Sequence, residues 1–506
     1  KLSGKTESGW SIGIMESLTN NEWAEIDSMG VKRKQLVEPM TNYFNTRLQK
    51  DFNEGKTMVG GMITATNRFI NDTSLNFLPK SAYSGGIDFN HYWSDRAFNL
   101  QANITGSFIE GDSLAILERQ LAPQRYFQRP DANYRNVDSS LTQMSGMGSS
   151  IKFAKIGRGH WRYGTRVALV SPAMSVGDQG FMNRADYIEE SVWLNYLIWE
   201  PFSVFRNMNI NMSQWSGWDF NGRYIYSSAQ FSTHFQLKNY WYVNVSYNYQ
   251  FFDIDRHQLR GGPALYAPSL FRMTYSFSTD ARKKFVFNAF YHRGYGKKSW
   301  REAEDIGFEI SYRPFPSLEL SIDPVYVYDQ EGYIYIDTKS FENENVYIVS
   351  NLYRKSLQFN FRINYSITPD LSIQYWGQPF FFSGDYHNFK KVTDAGNTDF
   401  NSQFTVYSDN QLSYNLEDDM YNIDDNEDGI VDYSFENPDF SFYEFRSNFV
   451  VRWEYIPGST AYFVWSQGRN GDNPDGSFYL NDRIESLANA KASNVFLLKL
   501  SYRLSL

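Results

Sequence analysis

The chain has 506 residues, a formal net charge of −9, no cysteine and 18% aromatic residues. The lack of cysteine excludes a disulfide framework, and no apolar run is long enough for a transmembrane helix. No linker or change in composition divides the chain, so we expect residues 1–506 to form one domain, with no nucleic-acid partner.

Short segments of about ten residues alternate apolar and polar side chains along the whole chain. Segment 241–251 reads WYVNVSYNYQF, segment 357–367 reads LQFNFRINYSI, and the last segment, 496–506, ends at Leu506. A period of two places alternate side chains on opposite faces of a β-strand. Strands of about ten residues with one apolar face are typical of membrane-spanning barrels.

Short turns alternate with long connections between these segments. The long connections are 19–39, 109–140, 171–187, 253–268, 383–442 and 468–494. The predicted strands begin near residues 8, 40, 56, 82, 96, 141, 158, 188, 203, 222, 240, 269, 283, 303, 317, 345, 369, 443, 458 and 495. Residues 1–4 resemble the end of one more strand, so we expect the chain to begin within a hairpin.

These patterns predict an all-β fold, a transmembrane antiparallel β-barrel of about 20 strands, within a range of about 18 to 22. Its short turns would be periplasmic and its long loops extracellular, which places the protein in the bacterial outer membrane among lipid. The alternative is a large soluble β-sandwich or propeller, although no blade repeat is visible.

Two long loops are candidates to fold into the lumen. In loop 109–140, Asp112 is a candidate N-cap before helix-forming residues, which predicts a short helix. The second is the acidic loop 383–442. Residues 392–445 hold 14 Asp or Glu and no Lys or Arg, so they account for more than the whole net charge of −9.

The acidic loop contains a calcium-binding pattern, D-x-N-x-D-G-x-x-D, which matches the first nine positions of an EF-hand loop. Position twelve departs from that pattern, because Phe435 stands where Glu is usual. The predicted Ca²⁺ ligands are Asp424, Asn426, Asp428, Ile430 through its carbonyl, Asp432 and Glu436. The ion would hold an exposed loop that has little core of its own, and the alternative is a solvated acidic turn.

Signals for catalysis are missing, so we expect no enzyme. None of the six histidines lies at metal-ligand spacing from another, and hydrolase and phosphate-loop motifs are absent. An enzyme at the rim would need a His within hydrogen-bond reach of Ser or Asp. The predicted lumen charges are Arg362, Arg446, Arg452, Glu454, Lys499 and Arg503. They would tune a pore toward anions or form salt bridges that stabilise the wall.

The C-terminal third carries two distinctive blocks. One runs from Tyr365 to Gln374 with Gly377–Phe380, and the other comprises 445–448, 452–455, 457–460 and 464–467. With the opening KLSGKT, these resemble an uncharacterised outer-membrane barrel family of Bacteroidota. The resemblance implies the fold and the location. It also implies an upstream domain similar to a family 9 carbohydrate-binding module, which is typical of the family and which we do not expect within residues 1–506.

Two functions remain open from the sequence. The first is an outer-membrane channel or transport barrel for small polar solutes, with glycan-derived molecules among the candidates, and with a calcium-stabilised extracellular loop. The second is a non-transporting barrel subunit of a larger outer-membrane assembly for secretion, surface display or barrel biogenesis. Other envelope proteins would be the partners in that case.

Overall fold

The structure, a computed structural model, describes residues 1–504, so Leu506 at the end of the last predicted strand lies outside the described residues. The chain divides into two compact units. Unit 1 comprises residues 1–197, 211–230 and 250–266, and unit 2 comprises the other described residues.

Unit 1 is built from eleven strands and one helix. The strands are β1 (Leu2–Lys5), β2 (Trp10–Thr19), β3 (Glu22–Ser28), β4 (Val31–Glu38), β5 (Thr41–Phe52), β6 (Thr57–Arg68), β7 (Ser81–Trp93), β8 (Phe98–Glu110), β9 (Gln143–Lys155), β10 (Trp161–Val170) and β11 (Tyr187–Ile198), and the helix is α1 (Ser113–Leu121). Besides β11, whose Ile198 lies in unit 2, four strands contribute residues to both units: β12 (Phe205–Trp218), β13 (Tyr224–Leu237), β14 (Tyr242–Asp255) and β15 (Leu265–Ala267).

Unit 2 contains the remaining elements. They are β16 (Leu270–Ser278), β17 (Phe285–Gly296), β18 (Arg301–Phe315), β19 (Leu318–Phe341), β20 (Glu344–Ser366), β21 (Leu371–Val392), β22 (Phe404–Val406), β23 (Leu412–Asn415), β24 (Met420–Ile423), β25 (Tyr433–Glu436), β26 (Phe440–Ile456), β27 (Ser459–Asn473), α2 (Leu480–Asn489) and β28 (Ser493–Ser501). Short 3₁₀ turns lie at Thr73–Leu75, Lys297–Ser299 and Phe400–Gln403. Among residues 1–504, no helix is both long and apolar enough to cross a membrane.

The sheet of unit 1 is an antiparallel meander with two different faces. Strands β2 and β5 to β11 each pair with the next one in this series. Ile63, Ile87 and Ile104 lie on one face and are each more than half exposed. We call this the apolar strand face. Arg47 and Asp88 lie on the opposite face and form an ion pair at 2.9 Å, and we call this the polar strand face.

The sheet of unit 2 continues the same pattern from β16 to β21, then β26 to β28, all antiparallel. Its hairpin β19–β20 is unusually long, with strands of 24 and 23 residues. A two-residue turn closes the hairpin, where Glu342 and Asn343 both have positive φ. That conformation matches the right-handed twist of the flanking strands.

The prediction of an all-β fold is confirmed, and each of the 20 predicted strand starts lies within three residues of an observed one. The acidic loop is shorter than predicted. Ser383 to Lys391 continue to pair with β20, so the connection to β26 comprises only residues 393–439, which we call the acidic insertion. Closure into a barrel, its strand number and the single domain stay predictions.

Candidate functional site

The connection between β8 and β9 folds back over the polar strand face of unit 1. Helix α1 begins as predicted at Asp112, whose carboxylate accepts the Leu114 N–H at 3.0 Å. Ile116 of this helix packs with Ile109 of β8 and Met144 of β9 in a buried apolar cluster. Ile109 lies on the face opposite Ile104, because the two are five positions apart on one strand.

Residues 171–186 cover the same face farther along. The Ser175 N–H donates to Ser107 Oγ on β8 at 2.9 Å. Gln179 Nε2 donates to the Ala65 carbonyl on β6 at 2.6 Å. Asp178 forms an ion pair with Arg68 at 2.8 Å, and both side chains are nearly buried. Residues 111–142 and 171–186, which we call the loop pair, therefore cover β6, β8 and β9 on their polar side.

Asp186 is the central acceptor of the loop pair, and its side chain is 1% exposed. It accepts hydrogen bonds from the Tyr134 hydroxyl, from Arg256 Nη1 at 3.1 Å and from the Phe220 N–H at 3.2 Å. Arg135 Nη1 lies 3.2 Å away as an ion pair, without the angles of a hydrogen bond. One carboxylate thus joins the loop pair to the segments around residues 220 and 256.

Several charged side chains around Asp186 are buried as well. We call Arg125, Arg129, Arg135 and Arg256 the arginine cluster, and all four side chains are almost inaccessible. Burial is the main cause that lowers the pKa of Arg125 to about 10, with nearby arginines adding to it. Its Nη atoms donate to the carbonyls of Arg119 and Met174 at 2.7 and 2.5 Å.

Burial also shifts two partners of Asp186. It raises the pKa of Tyr134, and the hydrogen bond to Asp186 raises it further, so this hydroxyl stays a donor. It lowers the pKa of Arg256, against the favourable charge of Asp186. A desolvated carboxylate between cations is costly to unpair. The cluster can therefore hold the two parts of the loop pair firmly to each other and to the segments around residues 220 and 256.

The predicted calcium loop has the turn geometry expected from its pattern. Asp424 accepts the backbone N–H groups of Asp428 at 3.0 Å and Gly429 at 2.7 Å. Asn426 Oδ1 also accepts the Asp428 N–H at 3.0 Å. Gly429 has φ of +88°, where a Cβ would be strained. The structure thus brings Asp424, Asn426 and Asp428 together.

The other predicted ligands divide into two groups. Asp432 closes the loop by accepting the Asp425 N–H at 2.7 Å, and Ile430 lies between, with its N–H bound to Asp428. Glu436 pairs with Met420 on the neighbouring strand. It lies three residues along β25 from Tyr433, where the turn ends, which separates it from the turn by about 10 Å. The structure does not bring Glu436 to the loop. Within residues 1–504, no three His, Asp or Glu side chains are placed to hold a metal.

The prediction that the acidic insertion has little core of its own is wrong. Strands β23 to β25 form a small antiparallel sheet, and its side chains pack onto the long hairpin. The buried members of this insertion core are Ile348, Phe389, Tyr407, Ile423, Tyr433 and Phe435. Lys391, just before the acidic stretch, forms an ion pair with the buried carboxylate of Asp425. Part of the acidic charge is thus neutralised within the fold.

The predicted lumen charges are partly paired along their strands. Arg446 contacts Glu444 at 2.7 Å, and Arg452 contacts Glu454 at 2.8 Å. Water screens such exposed pairs, so they contribute little to stability. A stronger network, not predicted from the sequence, lies on β18 to β20. Its members are Arg301, Asp329, Glu331 and Arg354, in which each arginine contacts both acids.

One histidine meets the distance requirement for catalysis. His292 Nδ1 on β17 lies 2.9 Å from Asp305 Oδ2 on β18, directly opposite it in the register. Thr274 of β16 is the next residue in the same row. The pair is half-buried on the strands, and the expectation of no enzyme stays a prediction.

These features define a class: an all-β protein of long antiparallel strands, with one exposed apolar face and loops folded over the polar face. The chain belongs to the family described as Domain of unknown function (DUF5916), which matches residues 1–505. No curated protein sequence matches the chain.

Several solved structures are similar to this chain. The siderophore receptor PirA from Acinetobacter baumannii is 8% identical, with a TM-score of 0.37, over 92% of this chain and 76% of its own. The FrpB iron transporter from Neisseria meningitidis is 10% identical, with a TM-score of 0.40. The match covers 92% of this chain and 73% of the transporter. An anion-selective porin from Comamonas acidovorans is 11% identical, with a TM-score of 0.28. The match covers 65% of this chain and 91% of the porin.

Proposed function

We propose that this protein is an outer-membrane β-barrel of about 20 strands that transports small polar solutes through a lumen narrowed by the loop pair. Passive diffusion is the mechanism, and glycan-derived molecules are among the candidate solutes. We also propose that the chain is related to the Bacteroidota barrel family whose members carry an upstream domain similar to a carbohydrate-binding module.

One observation carries this proposal: the two faces of the unit 1 sheet differ in the way that a channel wall requires. Ile63, Ile87 and Ile104 leave the apolar strand face exposed, and soluble proteins rarely expose large contiguous apolar patches. The loop pair is fastened onto the polar strand face instead, by the Asp178–Arg68 ion pair and by hydrogen bonds from Ser175 and Gln179 to β8 and β6. In a closed barrel that face lines the lumen, so the loop pair would form a constriction.

Conductance tests the proposal directly. Purified protein in a planar lipid bilayer is expected to give steady single-channel currents, with permeation of neutral sugars that falls as solute size increases. Liposome swelling with sugars of increasing size gives the size limit. A protein that inserts but carries no current, and gives no swelling with the smallest sugar, would contradict transport.

The second candidate, a non-transporting subunit of a larger outer-membrane assembly, is favoured by the acidic insertion. This insertion has its own core and is carried on the 24-residue strand β19 and its partner β20. A folded acidic surface of this kind suits a protein partner better than it suits a diffusion path. An electrically silent barrel that co-purifies with other envelope proteins in stoichiometric amount would support this alternative.

Calcium binding to residues 424–432 remains part of the proposal, without Glu436. We expect one Ca²⁺ per chain by mass spectrometry of bound metal, lost in Asp424→Ala and in Asp428→Ala. At ten times its dissociation constant, one ion stabilises the folded insertion by about 1.4 kcal/mol. Asp409→Ala, an exposed acid of the same insertion outside this loop, is the control. Metal content and melting temperature that stay unchanged in both loop variants would refute the site.

A further inference from the structure

A cleft of about 470 Å³ lies in unit 2, between β19–β21 and the segment before helix α2. Its lining combines aromatic, charged and hydroxyl side chains, chiefly Tyr328, Tyr353, Lys355, Ser383, Asp385 and Phe478. The volume lies within the range of about 300–1,000 Å³ that small-molecule sites occupy. None of these residues takes part in the loop pair or in the predicted calcium loop.

The strand register places the cleft at the edge of an apolar region. Ile306, Tyr326, Leu357 and Phe381 stand side by side on four neighbouring strands. The next row on the same face is Glu304, Tyr328, Lys355 and Ser383, which is polar except for the tyrosine ring. Side chains two positions apart on a strand share a face, about 7 Å apart. The cleft therefore begins where the apolar surface ends.

Aromatic rings form one wall of the cleft. The rings of Tyr328 and Tyr353 are nearly parallel, with centroids 6.4 Å apart. The ring of His387, on the neighbouring strand β21, stacks on the Tyr353 ring with the two centroids 4.2 Å apart. Phe478 comes from the segment before α2 and contacts Tyr326 edge to face at 6.5 Å. The wall is thus a supported platform, and a fixed platform loses little side-chain entropy when it binds a ligand.

Polar groups stand beside this platform at close spacing. Lys355 and Ser383 are directly opposite each other in the register, and so are Tyr353 and Asp385. Neighbouring strands lie about 4.8 Å apart, so an ammonium, a hydroxyl and a carboxylate converge on one small area. They offer both hydrogen-bond donors and acceptors.

We propose that this cleft binds a saccharide ring. A sugar ring has an apolar C–H face, which stacks on a tyrosine platform, and a rim of hydroxyls that both donate and accept hydrogen bonds. Tyr353 supplies the platform, Lys355 donates to ring hydroxyls, and Asp385 accepts from them. The saccharide is either the head group of a membrane glycolipid, whose acyl chains would lie on the exposed end of the apolar row at Ile306, or a free oligosaccharide.

Two probes distinguish these sources. The first is the water-soluble core oligosaccharide released from lipopolysaccharide, titrated by calorimetry into the detergent-solubilised protein. The second is intact lipopolysaccharide in phosphatidylcholine nanodiscs that contain the protein, with retained lipopolysaccharide counted by mass spectrometry. We expect Tyr353→Ala and Lys355→Ala each to weaken binding at least about tenfold. Tyr365→Ala, a tyrosine on the same strand and face at the far end, should change it less than about twofold.

Binding of both probes supports the site with either source, binding of lipopolysaccharide alone assigns the glycolipid, and binding of the oligosaccharide alone assigns the free sugar. No binding of either probe by the wild-type protein overturns the proposal. Equal losses in Tyr353→Ala and Tyr365→Ala overturn it as well, because they would show a general loss of structure. The transport proposal is tested by the conductance of the wild-type protein, and this site by the binding of the two probes, so the two fail separately.

Discussion

Replacing Asp186 with alanine is expected to loosen residues 111–142 of the loop pair and raise the single-channel conductance. The substitution removes the acceptor of Tyr134 and Arg256 and the ion-pair partner of Arg135. Removing one partner of a buried charge pair costs about 3–5 kcal/mol, because the remaining charges stay desolvated. The strands keep their own hydrogen bonds, so the sheet should persist while residues 111–142 loosen.

Asp88→Ala is the matched control for this experiment. Asp88 lies on the same polar strand face and pairs with Arg47 at 2.9 Å, but both side chains are about 40% exposed. Such a pair is worth about 0–1 kcal/mol, so the conductance and protease resistance of residues 111–142 should stay near the wild-type values. If Asp186→Ala kept both wild-type properties as well, the loop pair would not be held by this carboxylate.

Phe435→Ala is expected to unfold the acidic insertion while the main sheet stays folded. The Phe435 ring is 2% exposed and contacts the rings of Phe389 at 5.1 Å and Tyr421 at 5.4 Å. Removing a buried phenylalanine ring costs about 3–5 kcal/mol. The core around Phe435 is small, so this loss should exceed what holds strands β23 to β25 together. Limited proteolysis followed by mass spectrometry should show new cleavage within residues 393–439.

Leu416→Ala provides the comparison, because Leu416 belongs to the same insertion but is 83% exposed. Exposed substitutions usually change stability by no more than about 0.5 kcal/mol. Cleavage of the two variants at equal rates would show that the insertion does not depend on its core. Loss of the whole protein's heat stability in Phe435→Ala would show that the insertion and the main sheet unfold together.

Strand positions were predictable because each depends on local chemistry. Alternating side chains mark a strand within its own ten residues, and Gly, Pro, Asn or Asp mark its ends. The start of helix α1 was equally local, since Asp112 caps the N–H of Leu114 only two residues away. The calcium pattern predicted the turn at residues 424–432 because its contacts are also local. Asp424 accepts the N–H groups of residues four and five positions later.

The loop pair and the insertion core were not predictable in this way. Asp186 meets Arg135 and Arg256 across 51 and 70 residues of sequence, and no local pattern links them. The isolated arginines of residues 119–135 were the only available signal. In the acidic insertion, the dense carboxylates hid the apolar residues between them. Tyr433 and Phe435 look like ordinary loop aromatics until β20 and β21 continue far enough to cover them.

Hairpin β19–β20 is too long to lie wholly within a lipid bilayer. A strand crosses a bilayer with about 9–11 residues, so the 24 residues of β19 leave more than half outside it. At about 3.3 Å per residue, the tip stands roughly 40 Å along the strand from the lipid. At an outer cell surface, that reach would carry the insertion through the polysaccharide layer. Antibodies, phages and neighbouring cells would then meet the acidic insertion well outside the lipid.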